Sequence, residues 1–587
     1  MPAIQNKKLE AMRHSAEHVL TQAMLKLYPG LKMAMGPATE DGFYFDFDFK
    51  GKISEDDFPK IEEEMKKIIK KDLPFKKENL TIEEARKLFK NNKYKQEWLD
   101  EIENKGEKAT VYWTGDEFVD LCNGPHVAST GKIGPFKLLS IAGAYWRGDE
   151  KNKMLTRIYG TSFPTQKELD KNLSMLKEAK KRDHRKIGKD LNLFVFSDLV
   201  GKGLPLFTQK GAVVRRELER FIVDEEIKRG YQHVYTPDIA KVELFEKSGH
   251  YPYYKDSMYP VMEVEGERLI LRPMTCPHHF QLYASRPRSY KELPMRIAEL
   301  ANQYRYEKSG ELSGLIRVRL FCLADAHIIC RKDQVESEID SVLDLIDYVS
   351  KILGLKIGKD YQYRLSKGDR KDNKKFYKDD KAWDFAEEIL RKALKKRKAP
   401  YFEAEGEAAF YGPKLDVQMK NIVGKEETAF TVQYDLVMPK RFELRYIDRD
   451  GKEKEPIVIH RSSIGALERV IAFLIEHYVG AFPVWLAPVQ VKVLPITERN
   501  VDYARKITEK LKGNNIRVEI DERNETLPAK IRDAQLEKMP YMLIIGDKEE
   551  KAQKVRERGR SGKDYGLVDI KDFIVNIKKE IDNKVIN

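Results

Sequence analysis

Beyond Pro488 the chain alternates strand-like and helix-like segments at short intervals, and few folds accept that order. VQVKVLPI precedes a helical pattern near 500–512, IRVEID precedes one near 528–538, and YMLIIG precedes one near 570–582. The alternation predicts a small α/β domain with a largely parallel sheet, because a strand needs a crossover to return parallel to its neighbour. Pro483 and Pro488 mark its start, so residues 488–587 are taken as one domain.

The preceding residues mix both periods. Residues 9–28 read as a helix, with Leu9, Met12, Ala16, Val19, Leu20, Ala23, Met24 and Leu27 three or four apart, and Pro29-Gly30 ends it. GFYFDFDF alternates aromatic and acidic residues, which predicts a half-buried strand. Residues 1–164 are thus an α+β region. Residues 165–190 predict one long, charged, solvated helix bridging two domains. Residues 191–487 form a larger mixed region closing on IVIHRSSIGALERVIAFLIEHY, a strand, a Gly turn and an amphipathic helix. The expected class is α+β, multidomain.

Charge bears on partners. Lys+Arg 108 against Asp+Glu 95 gives a net +13 spread along the chain, which permits a polyanionic partner without specifying one. A hydrophobic share of 41% excludes a wholly disordered chain. The longest apolar neighbourhood, Val470 to Leu494, is interrupted by Glu476, His477, Pro483 and Pro488, so no membrane span is expected. The N-terminal stretch lacks the apolar core of a signal peptide. Four cysteines with no CxxC pair fit a reducing cytosol, and a cytoplasmic location is expected.

Three constellations could carry chemistry. HSAEH places His14 and His18 on one helical face, and DLCNGPH supplies Asp120, Cys122 and His126. Joined by the fold they would make a zinc set, a metal-free hydrolytic pocket, or ordinary packed residues. Between 228 and 330, RPMTCPHH offers Cys276, His278 and His279. There Arg305 and Glu307 are expected on one strand face, and Arg317 and Arg319 on another. Arginines projecting from strands suit a triphosphate, and equally a structural ion-pair ladder. In HRSSIGALER, His460 precedes a Gly turn and Arg469 enters the next helix. GxxxxGK[ST] and GxGxxG are both missing, which excludes a P-loop and a dinucleotide fold.

In order along the chain, RGYQHVYTP (229–237), YRYE (304–307) and GALER (465–469) resemble motifs 1, 2 and 3 of class II aminoacyl-tRNA synthetases. RPMTCPHH, LADAHIIC, AFYGPKLDVQ, TVQYDL, HSAEH, DLCNGPH and GAYWRGDEKNKMLTRIYGT narrow the resemblance to the threonyl-tRNA synthetases, over about residues 10–585. It implies an N-terminal editing domain (1–164), a linker helix (165–190), an antiparallel-sheet class II catalytic domain (191–487) and an anticodon-binding domain (488–587). It also implies a homodimer formed through motif 1.

The implied activity is ATP-dependent attachment of L-threonine to tRNA(Thr), with hydrolytic removal of serine. Cys276, His327 and His460 match the ligands of one Zn²⁺ per subunit, and Mg²⁺ would accompany ATP. Arg305, Glu307, Arg317 and Arg469 match the ATP-binding residues, the three arginines being catalytic. Met274, Asp325, Tyr411 and Gln433 match the amino-acid pocket. His14, His18, Asp120, Cys122 and His126 match the editing pocket, where the resemblance favours water-mediated hydrolysis without metal. Asn524, Glu549 and Arg558 match residues that contact anticodon bases. Two departures stand out. Only a short segment precedes HSAEH, so the form lacking the family's ubiquitin-like domain is expected, and Leu323 stands where a glutamine is usual. Two rivals are an RNA-binding regulator and a stand-alone hydrolase of mischarged tRNA. The zinc triad and motif arginines argue against both, since neither needs them.

Overall fold

The computed structural model describes residues 3–372, 374–421 and 424–586. Its first unit, Met1–Lys177, is organised by the opening helix, Ala3–Leu27. Ala16, Val19, Leu20, Ala23 and Met24 are fully buried along one stripe of it. That stripe packs on a four-stranded antiparallel sheet ordered Lys32–Met35, Phe43–Asp48, Met154–Ser162, Phe136–Tyr145. Phe43, Phe45 and Phe47 reach the core as alternation requires. A second antiparallel sheet, Phe75–Leu80, Ala109–Thr114 and Phe118–Leu121, delivers Asp120 and Cys122.

The second unit, Glu178–Asn587, holds an eight-stranded sheet. Its order is Gln232–His233, Met295–Tyr304, Leu320–Cys330, Ile457–Ala466, Glu426–Asp435, Lys414–Lys420, Tyr361–Lys367, Tyr401–Glu405. Only the pairs at its two edges are parallel. Period-two alternation splits the strand Leu320–Cys330 between two faces. Ala324, Ala326 and Ile328 join the main core with the helices Val335–Ile352 and Leu467–Tyr478, while Leu323, Asp325 and His327 line a cavity. Register does the rest: His327 lies opposite His460, and His460 opposite Gln433.

The five-stranded sheet near the C-terminus runs Val518–Ile520, Val491–Pro495, Tyr541–Ile545, Val555–Gly559, Asp564–Val568. Its first three strands are parallel, as the alternation predicts, but the last two form an antiparallel hairpin that the βαβα pattern did not contain. A second difference lies at 165–190, where two helices, Gln166–Arg182 and His184–Asp190, replace the single one expected. Asp183 is the cause. Its backbone leaves the helical region (ψ 118°) and its carboxylate accepts the Arg185 N–H at 2.8 Å, which starts a new helix.

Candidate active sites

The cavity on the open face of the eight-stranded sheet has a volume of about 660 Å³. Cys276, first residue of the helix Cys276–Ala284, meets His327 and His460 there, all three buried, with candidate ligand atoms within 4.8 Å of one another. Each imidazole has one nitrogen engaged outside the triad. His327 Nδ1 lies 2.7 Å from His279 Nδ1, and His460 Nε2 lies 2.6 Å from the Asp435 carboxylate. By elimination, His327 Nε2 and His460 Nδ1 are the candidate ligand nitrogens. A thiol and two imidazoles braced from behind fit a tetrahedral zinc with one position open. Beside them Asp325, its pKa raised by burial, accepts from Gln303 Nε2 at 3.3 Å. The Tyr411 hydroxyl donates to Gln433 Oε1, and Met274 and Leu323 line the same space.

The arginines do not project from strands, contrary to the alternation argument. The ladder ends at the Tyr304–Leu320 pair, so Arg305, Glu307, Arg317 and Arg319 all lie in the connecting loop. Arg305 N–H still bonds to Arg319 O at 3.0 Å, but Glu307 N–H folds back onto Arg305 O at 2.9 Å, which breaks the alternation. Glu307 and Arg317 pair with each other at 2.8 Å. Arg469 donates to the carbonyls of Ile316 (3.1 Å) and Thr428 (2.6 Å). Burial lowers its pKa; Glu427 opposes this, and the neighbouring charges of Arg305 and Arg317 lower it further. Cations this close favour a polyanionic ligand.

In the first unit all five expected residues come together. Cys122 Sγ is 3.3 Å from His14 Nε2 and 3.2 Å from His126 Nε2, and the His126 ring centroid is 4.3 Å from those of both His14 and His18. The adjoining cavity, about 480 Å³, is also lined by Asp120, Glu17 and Lys95. Sequence reasoning missed the last two. Glu17 sat unread inside HSAEH, whereas Lys95 in KYKQEW reads like any surface lysine. Burial pushes the Cys122 thiol up to about 12, so it is no thiolate nucleophile, and burial holds His14 at about 4 and His126 at about 3. The pocket is therefore built of neutral imidazoles able to orient water.

These depressed values set an acid limit. An unfolded histidine takes up its proton near 6.5, the folded His14 only near 4, so stability is complete above about pH 6.5 and drains away as pH falls towards 3–4. His14 alone contributes about 3 kcal/mol of that loss. Urea unfolding of the full chain at pH 7, 6, 5 and 4, read by hydrogen exchange within residues 3–177, is expected to show the decline. A flat profile would contradict neutral, buried imidazoles.

At the C-terminal sheet, Asn524 is exposed in the loop after Val518–Ile520, while Glu549 is buried and accepts the Gly546 N–H at 2.9 Å. Both follow the C-terminal ends of parallel strands. Arg558 is placed differently, opposite Met542 within the sheet, and among the described residues its buried Nε has no partner. The structure thus brings two of the three expected anticodon residues to one edge.

Similarity to known proteins agrees with this geometry. Residues 259–478 match the family described as tRNA synthetase class II core domain (G, H, P, S and T), and 490–580 match the anticodon binding domain. Residues 109–159 match the threonyl and alanyl tRNA synthetase second additional domain. A threonine–tRNA ligase of Geobacillus sp. (strain WCH70) is 51% identical over 98% of this chain and 89% of its own. One of Staphylococcus carnosus (strain TM300) is 50% identical over the same shares. The chain belongs to the threonine–tRNA ligase family. A solved structure described as the RNA binding domain of threonyl-tRNA synthetase from Cryptosporidium parvum Iowa II is 34% identical, with a TM-score of 0.64 over 68% of this chain and 98% of that one.

Family membership gives the architecture its labels: a class II core on the eight-stranded sheet, an anticodon-binding domain on the five-stranded one, and an N-terminal editing-type domain. Among the described residues no helix is long and apolar enough to cross a membrane. Besides Lys95 and Glu17, the structure adds Gln303, Asp435 and His250, the last a buried cavity residue whose Nδ1 is 2.7 Å from Ser248 Oγ, and it gives His279, already noted beside Cys276, a partner in His327. CPHH and TVQYDL contained two of these, but only the strand register shows what they brace.

Proposed function

We propose that the chain ligates L-threonine to tRNA(Thr) through threonyl-adenylate and hydrolyses seryl-tRNA(Thr) formed in error. The observation that carries the reading is the meeting, in one cavity, of a buried Cys276/His327/His460 donor set with crowded arginines. Zinc held by those three, one per subunit, would supply Lewis-acid acceptance of the amino group and the side-chain hydroxyl. Asp325 orients that hydroxyl, and Met274, Tyr411 and Gln433 shape the remaining pocket. Valine lacks the hydroxyl, and an apolar pocket alone would separate the pair only about a hundredfold.

Arg305, Arg317 and Arg469 hold the triphosphate, with Glu307 turned to the adenine amino group and Mg²⁺ accompanying ATP. A threonine carboxylate oxygen attacks the α-phosphorus in line, the bond to pyrophosphate breaks, and the arginines spread the developing charge. A hydroxyl of the terminal ribose then attacks the threonyl carbonyl, the acyl–phosphate bond breaks, and AMP leaves. Serine carries the same hydroxyl and must be removed afterwards. His14, His18, Asp120, Cys122 and His126 would direct a water onto the seryl ester, without metal. Asn524, Glu549 and Arg558 would read anticodon bases by hydrogen bonds.

We keep the finer division into residues 1–164, 165–190, 191–487 and 488–587. The proposed homodimer uses motif 1, where Tyr235 is 96% exposed, and Ile239 just beyond it is exposed too. A cytoplasmic setting is supported by four unpaired cysteines. The direct test is amino-acid-dependent ATP–pyrophosphate exchange by metal-loaded protein. Threonine is expected to drive it, serine more weakly, and valine not at all. Silence with all three would overturn the reading.

A further inference from the structure

Among the buried groups that this mechanism leaves unused, His184 is placed to act on it. It opens the seven-residue helix His184–Asp190, is 2% exposed, and has both ring nitrogens engaged. Nδ1 lies 2.7 Å from Glu476 Oε1, and Nε2 accepts the backbone N–H of Leu315 at 3.1 Å. The two bonds require each other. A carboxylate at Nδ1 holds the proton there, which leaves Nε2 as the lone-pair acceptor that the Leu315 N–H needs.

Leu315 is in the loop that carries Arg317. The loop turns at Ser313–Arg317, where Ser313 N–H bonds to Arg317 O at 3.1 Å and Arg317 N–H to Ser313 O at 3.3 Å. Gly314 lets the turn lie against the imidazole: its φ is +49°, and a Cβ there would come within 2.1 Å of His184 Nε2. The next residue is held as well, since Ile316 O accepts from Arg469 Nε at 3.1 Å. Glu476 and Arg469 sit two turns apart on the helix Leu467–Tyr478. One helix therefore grips two consecutive loop residues, Ile316 directly and Leu315 through His184.

We propose that His184 is a positioning residue for ATP: with Glu476 it anchors the Leu315 N–H and so fixes where Arg317 meets the nucleotide's phosphates. The inference rests on the ATP-site reading above. It predicts an effect confined to the nucleotide. Threonine is held by Cys276, His327 and His460 with Asp325, Met274, Tyr411 and Gln433, and His184 bonds to none of them.

The experiment is steady-state ATP–pyrophosphate exchange with the full-length, metal-loaded chain, varying ATP and threonine separately. His184→Leu leaves the buried Leu315 N–H without an acceptor. It is expected to raise KM for ATP roughly tenfold and lower kcat several-fold, with KM for threonine within about twofold of wild type. His184→Gln keeps an acceptor oxygen and should recover most of the ATP KM. Glu476→Leu removes the tautomer control and the 3.4 Å bond from the His184 backbone N–H but keeps the imidazole, and should give an intermediate rise, so it carries the test if His184→Leu fails to fold. Unchanged ATP KM in the folded variants, or equal rises for ATP and threonine, would overturn the proposal. Absent threonine-dependent exchange in the wild type would instead overturn the functional reading beneath it.

Discussion

Stripping the metal with a chelator, or replacing His327 with alanine, is expected to reduce threonine-dependent ATP–pyrophosphate exchange on the order of a thousandfold. A bound Lewis acid supplies several kcal/mol, and about 4 kcal/mol corresponds to roughly that factor. His327 is almost fully buried on a central strand opposite His460, so alanine there takes away one of three candidate ligands. Zinc added back should restore the chelated protein but not His327→Ala. His279→Phe, which removes the brace on His327 Nδ1 together with the 3.2 Å bond to Glu299, should weaken metal retention about 10- to 100-fold while leaving saturated activity nearly intact. Full exchange by protein shown by elemental analysis to be metal-free would sink the zinc reading.

How much of this was legible in the sequence depended on whether neighbours in space were also neighbours in pattern. His14 and His18 are four apart on a helix, so their shared face could be read directly. The three parallel strands of the C-terminal sheet announced themselves through apolar runs and spacing. The hairpin Val555–Gly559 and Asp564–Val568 did not, because VRERG carries one apolar residue and DYGLV is interrupted by Gly566. Arg305 and Arg317 were found by resemblance, but their geometry was misread, since where a ladder stops is decided by a loop folding back on itself. Asp183 broke a helix whose charge pattern continued unbroken through it. Cys276, His327 and His460 are spread over 185 positions of chain, and only strand register makes them one site.

Lys95 is the sharpest case of a group that composition hides, and its replacement by methionine is expected to have the largest effect in the N-terminal unit. The helix Lys93–Asn104 begins at Asn92, whose side chain caps Tyr94 and Lys95, and that start turns Lys95 inward. Its ammonium lies 2.6 Å from Asp120 Oδ1, with both side chains 4% exposed. Burial raises the Asp120 pKa, while Lys95 opposes the rise. Burial, then the charge of Asp120, raises that of Glu17. Without Lys95 these buried carboxylates lose the cation that opposes their raised pKa values, and both are driven further towards the protonated form. Breaking a buried pair from one side costs about 3–5 kcal/mol. Unfolding of residues 3–177 should therefore come at markedly lower urea in Lys95→Met. The sign of its pH dependence follows from the raised folded-state values: protonated carboxylates need no counter-charge, so the gap between variant and wild type should narrow as pH falls from 7 towards 4. Deacylation of seryl-tRNA(Thr) should drop about 10²- to 10³-fold, because a buried cation lining the cavity, available to charge developing on an ester there, is lost. Threonine activation in the second unit should stay at wild-type rate. Asp120→Asn combined with Lys95→Met removes both charges and should recover much of the stability but little of the hydrolysis. If the double variant regains deacylation as fully as it regains stability, Lys95 is a structural ion-pair partner with no part in the hydrolysis.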